Sequence, residues 1–258
     1  MMQFAKKSLG QNFLIDHNII NKIINLIRIA NKNIIEIGPG RGALTEKILL
    51  KKPKSLILIE KDNFLYNELK EKYQNNKIIK IINFDILKFN LEKIIKKNTV
   101  VFGNLPFNIS SQILVKLIKN KKWPPDYSDL IFMFQKEVAE KIIGKSYGRL
   151  SIITASRLNV LQSFNISPNC FFPKPKVIST VIHFNPKKKL NYKIDNLNSL
   201  EKVTNIFFSN KRKMINKSLR NLLTEEQLDE LKDISFNSRP SELKAEFYYK
   251  VAELFEKK

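Results

Sequence analysis

Hydrophobic residues recur in short compact runs over the first half of the chain. These runs are IIEI (34–37), LILI (56–59), IIKII (78–82), VVF (100–102) and LIFMF (130–134). Segments of helical or polar character separate them. Continuous apolar runs are typical of strands buried on both faces, and their alternation with helices predicts a parallel, doubly wound α/β sheet.

Two further patterns flank these runs. The segment DHNIINKIINLIRIA (16–30) has isoleucines at helical spacing, and Asp16 before them is a suitable N-cap residue. We therefore expect a helix over this segment. The segment VISTVIHF (177–184) alternates instead, which predicts an antiparallel strand at the edge of the sheet.

The pattern changes after residue 185. The segment 185–196 is polar and basic and starts with Asn-Pro, and beyond it the hydrophobic spacing is helical only. One example is AEFYYKVAELF (245–255), which places Phe247, Val251, Leu254 and Phe255 on one face. We predict an α/β domain over residues 1–185 and a small helical C-terminal domain over residues 186–258. The sequence contains no internal repeats.

The chain carries a large surplus of positive charge. Lysine and arginine number 46, aspartate and glutamate number 24, and the net charge is +22. Codon bias toward lysine, asparagine and isoleucine contributes to this surplus, but it does not explain the small number of acidic residues. The surplus indicates a polyanionic partner, and nucleic acid is the expected class. Charge does not distinguish DNA from RNA.

The rest of the composition narrows the function classes. The single cysteine, Cys170, cannot form an intramolecular disulfide, and His17 and His183 lack metal-ligand spacing, so we predict no metal site. The chain has no apolar run of transmembrane length, and its N-terminal segment lacks the apolar core of a secretory signal. We expect a cytoplasmic monomer without a membrane partner.

A glycine-rich turn follows the first predicted strand. In IIEIGPGRGALTEKIL (34–49), Gly38, Gly40 and Gly42 permit close approach of a ligand to the backbone. In the dinucleotide fingerprint, the third glycine comes one position later than it does here. Pro39 also removes an N–H group that could bind a pyrophosphate. Both differences favour a ligand without a diphosphate.

Acidic residues follow the next two predicted strands. Glu60 can accept hydrogen bonds from both hydroxyls of a ribose, and Asp85 can accept one from an adenine amino group. Each acid alone could be a solvated strand end. Ligands of such sheets bind at the carboxyl ends of the strands, so together the two acids favour an adenosine-containing cofactor. Without a diphosphate site, S-adenosylmethionine fits better than NAD.

The stretch GNLPFNIS (103–110) follows the fourth predicted strand. Asn104 offers a side-chain carbonyl, and the backbone near Leu105 and Pro106 offers another, to accept hydrogen bonds from an exocyclic amine such as adenine N6. Two such acceptors would draw the nitrogen toward tetrahedral geometry and expose its lone pair, while the Phe107 ring stacks on the base. In isolation, a proline-containing turn with a packed ring would be the better interpretation, but the position after the fourth strand of such a sheet favours the functional one.

Six segments together resemble the ribosomal RNA adenine N6-dimethyltransferases. They are SLGQNFL, EIGPGRGALT, GNLPFNIS, FQKEVAEKI, YGRLS and FFPKPKVIST, with weaker similarity in NKRKMINKSLRN and RPSEL. The main match runs from about Ser8 to Thr180. It is closest to the branch of the family that acts on bacterial small-subunit (16S) rRNA.

The resemblance implies both a fold and an activity. The fold is a Rossmann-like class I S-adenosylmethionine-dependent methyltransferase sheet, here within residues 1–185, with the small helical domain after it. The activity is dimethylation at N6 of two adjacent adenines near the 3′ end of 16S rRNA, within the small ribosomal subunit or its precursor, during ribosome biogenesis.

The resemblance also implies roles for individual residues. It assigns these residues to the cofactor: Asn12 and Leu14 on the methionine side, Gly38 and Gly40 in the glycine turn, Glu60 at the ribose, Asp85 at the adenine, and Asn104 at the junction with the target. It suggests that Phe171 packs against the target base opposite Phe107. Many members carry tyrosine where this chain has Phe107, so stacking is retained without a hydroxyl contact.

Basic residues are crowded in the segment NKRKMINKSLRN (210–221). They are Lys211, Arg212, Lys213, Lys217 and Arg220. Helical spacing would place Lys213, Lys217 and Arg220 on one face. We predict that this segment contacts RNA phosphates without reading sequence. The alternative is a solvated helix face.

Three alternative functions are compatible with parts of the sequence. A macrolide-resistance methyltransferase of large-subunit (23S) rRNA shares NxPF and PKPKV, but Gly10, Pro39 and YGRLS favour the small-subunit branch. A non-catalytic ribosome assembly factor is disfavoured because the cofactor residues named above are all present. An NAD-dependent oxidoreductase is disfavoured by the glycine spacing and by the lack of a suitable proton donor.

Overall fold

The structure is a computed structural model that describes residues 11–194 and 196–257. Residues Ser8–Gly10 of the segment SLGQNFL therefore lie outside the described residues. The described strands are β1 (Phe13–Leu14), β2 (Asn33–Ile37), β3 (Ser55–Glu60), β4 (Ile79–Asn83), β5 (Thr99–Gly103), β6 (Tyr127–Gln135), β7 (Leu158–Ile166), β8 (Phe171–Phe172) and β9 (Ser179–Pro186).

Helices fill most of the chain between and after these strands. The described α-helices are α1 (His17–Ile24), α2 (Ala43–Leu50), α3 (Asn63–Tyr73), α4 (Ser110–Ile118), α5 (Lys136–Ile142), α6 (Arg149–Arg157), α7 (Leu197–Ser209), α8 (Asn216–Leu222), α9 (Glu225–Asp229) and α10 (Ala245–Glu256). None of the helices in the described ranges is both long and apolar enough to cross a membrane.

Seven of the described strands form one sheet in the order β4-β3-β2-β5-β6-β9-β7. The strands from β4 to β6 pair in parallel, and β9 pairs with β6 in the antiparallel sense. Each of the five compact apolar runs coincides with one of the parallel strands, except that β4 begins one residue after the run IIKII (78–82) does. The predicted α/β fold with a mostly parallel sheet is therefore confirmed. Buried side chains such as Ile34, Leu56 and Val100, each at most 1% exposed, fill the core beside it.

The structure corrects two expectations about the elements. The strand predicted over 177–184 is β9, but it lies inside the sheet because β7 continues the sheet beyond it. The expected helix over 16–30 is α1, which ends at Ile24. Asp16 caps α1 as predicted, since its carboxylate accepts hydrogen bonds from the N–H groups of Asn18 and Ile19, both at 2.9 Å. Ile29 is buried outside the helix, so the later isoleucines are part of a packed turn.

Residue contacts divide the chain into two compact units. The first unit contains the described residues up to 120 together with 124–139 and 160–186, and the second contains 121–123, 140–159 and those from 187 onward. The sequence placed 140–159 in the first domain, whereas α6 packs with α7 and α10. Its side chains Ile152 and Ile153 are buried. The functional division into two domains stays a prediction.

The second unit has an aromatic core. The Phe207 ring meets Phe247 and Tyr248 edge-on, with centroids 5.8 and 5.7 Å away. Val251 and Leu254 are fully buried on the same helix, as the spacing predicts. Phe255 is only partly buried, and Lys202 Nζ lies 4.6 Å from its ring centroid.

Candidate active site

A cavity of about 530 Å³ opens at the carboxyl ends of β2, β3 and β5. Its wall contains every residue that the sequence assigned to the cofactor: Asn12, Leu14, Gly38, Gly40, Glu60, Asp85 and Asn104. Leu105, Pro106 and Phe107 also line it. The parallel sheet explains this convergence, because the loops that follow its strands meet at one edge.

The glycine turn between β2 and α2 is covered by residues 11–14, called here the N-terminal segment. Gly40 has a positive φ of 58°, and a Cβ atom there would lie 3.0 Å from Phe13 Cδ1. Gly38 N–H donates to the carbonyl of Ile59 at 2.9 Å, which ties the turn to the end of β3. Gln11 Nε2 donates to Asp62 Oδ2 at 3.0 Å, so the N-terminal segment is also held beside β3.

Glu60 joins the end of β3 to the glycine turn. Its Oε2 accepts a hydrogen bond from Gly40 N–H at 3.2 Å, and its Oε1 accepts one from Asp62 N–H at 2.9 Å. Glu60 is 7% exposed, and burial raises the pKa of its carboxyl despite these bonds. A carboxylate has about four acceptor positions. The backbone N–H of Lys61 is a third donor to this carboxylate, so acceptor capacity for a ribose hydroxyl still remains.

Asp85 lies in the loop after β4, between two lysines. Lys61 Nζ contacts its Oδ2 at 2.8 Å, and Leu87 N–H donates to its Oδ1 at 2.9 Å. The bond from Lys61 lowers the pKa of Asp85, so the carboxylate is charged at neutral pH. Lys116 Nζ, on α4, donates to the carbonyls of Ile86 at 3.1 Å and Leu87 at 2.6 Å. Lys116 thus anchors this loop to the helix that follows the Asn104 loop.

Asn104 is oriented by the N-terminal segment. Its Nδ2 donates a hydrogen bond to the backbone carbonyl of Asn12 at 3.1 Å. Because this bond uses the amide nitrogen, the amide oxygen is the atom that can accept a hydrogen bond in the cavity. The loop therefore presents an acceptor in a fixed direction, which is what recognition of an amino group requires.

Gly103 brings the Asn104 loop against the sheet. A Cβ atom at Gly103 would lie 2.6 Å from Leu105 Cδ2 and 3.1 Å from Phe132 Cδ1. Leu105 is 2% exposed, so its side chain occupies the space that the missing Cβ leaves. Gly103 begins the stretch GNLPFNIS, but no role was predicted for it from the sequence.

Phe171 differs from the other predicted site residues. It is 3% exposed, packs in the core with Leu14 and does not line the cavity. Phe107, in contrast, does line the cavity. Stacking of Phe171 on a base would require the ring to leave the core. That assignment stays a prediction.

Glu36 is a further acid of the cavity wall, beside Glu60 and Asp85, and no role was predicted for it from the sequence. It lines the cavity, is 1% exposed, and its Oε2 accepts a hydrogen bond from Thr45 Oγ1 at 2.6 Å. Burial raises the pKa of its carboxyl to about 7, although the Thr45 bond acts in the opposite direction. The signal in the sequence is an acid inside an apolar strand, IIEI.

Replacing Glu36 by glutamine is expected to flatten the pH dependence of stability. The pKa rises on folding from 4.5 to about 7, so the folded state holds a proton that the unfolded state releases. The contribution of Glu36 to the free energy of unfolding is fully present below pH 4.5 and is lost as the pH rises through 7. The loss is on the order of 3 kcal/mol.

Urea unfolding of the wild type and Glu36→Gln at pH 5 and pH 8 tests this prediction. Glutamine cannot ionise, so the variant should gain stability relative to the wild type between the two pH values. An identical difference at both values would show that Glu36 does not titrate on unfolding in this range.

The basic segment 210–221 does not form one helical face. Lys211, Arg212 and Lys213 lie in the turn before α8, so Lys213 does not share a helix face with Lys217. Helix α8 cannot extend backward, because the N–H groups of Ile215 and Asn216 donate to carbonyls at Ser238 and Phe236.

The members of this segment also differ in their partners. All five predicted cations, Lys211, Arg212, Lys213, Lys217 and Arg220, are exposed. Arg220 Nη1 contacts Glu225 Oε1 at 3.1 Å, and its Nε donates to Asn216 Oδ1 at 3.0 Å. The Arg220 charge is therefore partly offset within the unit. Binding of RNA by this segment stays a prediction.

The cavity residues fit S-adenosylmethionine. Acceptor positions remain on Glu60 and Asp85 for a ribose and an adenine amino group, and the cavity volume suits a ligand of this size. Pro39 in the turn has no N–H for a diphosphate. Among the described residues, no cluster of histidine, cysteine and carboxylate side chains could hold a metal ion.

Comparison with known proteins agrees with this geometry. The sequence model of the family described as "Ribosomal RNA adenine dimethylase" matches residues 2–257. A relative from Pelagibacter ubique (strain HTCC1062), named Ribosomal RNA small subunit methyltransferase A, is 45% identical over 257 residues, which cover 98% of this chain and 97% of the relative.

Solved structures show the same fold. A dimethyladenosine transferase from Plasmodium falciparum superposes with a TM-score of 0.74 at 26% identity, covering 95% of this chain and 98% of that chain. The 23S rRNA methyltransferase ErmE superposes with a TM-score of 0.71 at 21% identity, covering 95% of this chain and 100% of that chain. At this identity the second likeness concerns the fold alone.

These comparisons confirm the central predictions. The fold is that of a class I methyltransferase, and the family match confirms an S-adenosylmethionine-dependent enzyme that acts on rRNA adenine. An oxidoreductase is thereby excluded. The chain belongs to the ribosomal RNA adenine dimethylase family.

Proposed function

We propose that this chain methylates N6 of two adjacent adenines near the 3′ end of 16S rRNA, in the small ribosomal subunit or its precursor. The near full-length similarity to a small subunit methyltransferase supports this substrate over large-subunit rRNA. The observation that carries the chemistry is the Asn104 amide, which the Asn12 carbonyl orients in the cavity wall.

The chain supplies positioning and recognition. When bound, S-adenosylmethionine provides an electrophilic methyl group on a sulfonium. Asn104 Oδ1 accepts one N6–H hydrogen bond of the target adenine, and a backbone carbonyl near Leu105 and Pro106 accepts the other. With both hydrogens held, the nitrogen lone pair leaves conjugation with the ring and becomes nucleophilic. Phe107 stacks on the base, a contact worth about 1–3 kcal/mol.

No side chain is required as a general base. The methylated amine is cationic and acidic, and it loses its proton to water. The rate enhancement therefore comes mainly from proximity and orientation, which can supply about 7–11 kcal/mol. This agrees with a site in which Asn104 and Glu60 are fixed by hydrogen bonds to the neighbouring backbone.

The ribosomal substrate also implies where the protein acts. We propose that it works in the cytoplasm, where small subunits are assembled, as a monomer and without a membrane partner. The net charge of +22 favours binding of the rRNA phosphates.

Methylation of purified subunits tests the proposed function. The protein is incubated with methyl-labelled S-adenosylmethionine and unmethylated small subunits, and the modified nucleotides are mapped. We expect N6,N6-dimethyladenosine at two adjacent positions near the 3′ end of 16S rRNA. A parallel incubation contains large-subunit rRNA in place of small subunits, and label in that rRNA alone would favour the 23S alternative. Cofactor binding without any label would favour the assembly factor.

Neutralising Lys213 and Lys217 together is expected to weaken binding to the small subunit. If both contact phosphates, replacement by glutamine should reduce the slope of log K against log salt by about 0.7–0.9 for each lost contact. Lys250→Gln is the control, because Lys250 is already paired with Glu230 at 2.7 Å. Subunit binding is measured over a salt series, and an unchanged slope in the double variant would mean that both lysines face solvent.

A further inference from the structure

The short sheet of β1 and β8 has two unlike faces. Phe13 lies opposite Phe172, and Leu14 lies opposite Phe171. Because side chains alternate along strands, the two pairs lie on opposite faces. Leu14 and Phe171 are each 3% exposed and belong to the core, whereas Phe172 is 59% exposed.

Phe13 links the exposed face to the cavity. Its ring packs on Gly40, as the 3.0 Å distance to a Cβ there indicates, and Arg41 Cζ lies 5.2 Å from its centroid. Both Phe13 and Arg41 line the cavity. Side chains directly opposite each other in antiparallel strands have Cβ atoms about 4.5–5.5 Å apart. Arg41, Phe13 and Phe172 therefore form a continuous surface, called here the aromatic strip.

Two cations follow the strip along the chain. Lys174 and Lys176 are exposed in the loop after β8, and the segment 171–178 contains no acidic residue. Phe172 and the two lysines thus lie in one short segment, which begins opposite Phe13 of the cavity wall. A partner with flat apolar groups joined by negative charges matches this surface, and single-stranded nucleic acid has that chemistry.

We propose that the aromatic strip, together with Lys174 and Lys176, binds the single-stranded rRNA that adjoins the target adenine. An unpaired base next to the target stacks on Phe172, and the lysines contact the phosphates beside it. This inference rests on the proposed function, because the target adenine must occupy the cavity that the strip borders. The inference assigns different functions to the buried Phe171 and the exposed Phe172. Leu14 and Phe171 anchor the sheet of β1 and β8 in the core, and Phe172 contacts the RNA.

Two readouts test the strip. The first is the affinity for a short single-stranded oligoadenylate RNA, measured by fluorescence anisotropy. The second is KM for unmethylated small subunits at saturating S-adenosylmethionine. Phe172→Ala is expected to weaken oligonucleotide binding and to raise KM, each about tenfold, as loss of one stacked base does. The Kd for S-adenosylmethionine should not change, and Phe172→Trp should restore both readouts.

Matched variants separate stacking from charge and from general surface effects. Phe64→Ala is the control, because Phe64 is also exposed, at 39%, but lies on α3 outside the cavity wall. It should leave both readouts at wild-type values. The double variant Lys174→Gln, Lys176→Gln should reduce the salt slope of oligonucleotide binding by about 0.7 for each phosphate contact.

The outcomes distinguish this inference from the proposed function. If Phe172→Ala binds the oligonucleotide as the wild type does, the inference is overturned, whatever the methylation result. If that variant loses affinity only for intact subunits, the strip contacts a ribosomal protein, and the inference is again overturned. If the wild type fails to methylate small subunits while Phe172→Ala still weakens RNA binding, the proposed function fails and the RNA-binding strip stands.

Discussion

Asn104→Ala is expected to lower kcat for methyl transfer by about 100-fold or more, with nearly unchanged S-adenosylmethionine binding. The Asn104 amide is held by a 3.1 Å bond to the Asn12 carbonyl, so its oxygen meets the target amine without reorganisation. Loss of one such positioned polar group typically costs about 10²–10³ in kcat. Single-turnover methylation of small subunits measures the chemical step directly, and calorimetry measures the cofactor Kd.

Asn104→Asp is the companion variant, because it keeps the size and an acceptor but removes the amide N–H. Its carboxylate would face the Asn12 carbonyl, so two acceptors would oppose each other where a hydrogen bond now exists. We therefore expect turnover as low as in Asn104→Ala. Near-wild-type turnover in the alanine variant would remove Asn104 from the reaction. High turnover in the aspartate variant alone would show that an acceptor is needed but its orientation by Asn12 is not.

The sheet could be predicted from local pattern because burial on both faces makes a strand continuously apolar. This holds for β2, β3 and β5, whose hydrophobic runs are compact. Strand β7 fails the same criterion, because residues between Leu158 and Ile166 are mostly exposed at the sheet edge. Because β7 was not predicted, β9 was expected to be the last strand of the sheet, whereas β7 lies beyond it.

Gly38, Glu60, Asp85 and Asn104 could be predicted because each ends or follows a strand of the parallel sheet, which is a property of local sequence order. The assignment of Asn12 and Leu14 depended instead on the family resemblance. The contacts that orient the cavity residues could not be predicted. Asn104 is hydrogen-bonded to Asn12, which is 92 residues away in the sequence, and Lys116 is hydrogen-bonded to Ile86, which is 30 residues away. Such pairings depend on how distant loops fold over one another. The distinction between Phe171 and Phe172 has the same origin, because only the pairing of β8 with β1 decides which ring enters the core.

For the basic segment 210–221, the local spacing predicted a longer helix than the structure contains. Helical periodicity placed Lys213 with Lys217, yet α8 begins only at Asn216. The backbone N–H groups of Ile215 and Asn216 donate hydrogen bonds to the carbonyls of Ser238 and Phe236, and these long-range bonds prevent α8 from beginning earlier in the chain. Spacing indicates a shared face only when the whole segment is helical.

Glu60→Gln is expected to raise the Kd for S-adenosylmethionine by about 100-fold, with unchanged affinity for RNA. Both Glu60 oxygens accept backbone N–H bonds, from Gly40 and Asp62, so a glutamine NH₂ must oppose one of these donors. The variant would lose that bond, the geometry of the glycine turn and one acceptor for the ribose. Hydrogen bonds to charged groups are worth about 1.5–3 kcal/mol each, so the loss of one or two accounts for the expected change.

Calorimetric titration of the variant with S-adenosylmethionine measures this effect, and Glu68→Gln is the control because Glu68 is exposed on α3. The control should bind the cofactor as the wild type does. RNA affinity should be retained in both variants, because Glu60 lies at the cofactor side of the cavity and the aromatic strip does not include it. An unchanged cofactor Kd in Glu60→Gln would mean that the ribose is held elsewhere, and that Glu60 serves only to join β3 to the glycine turn.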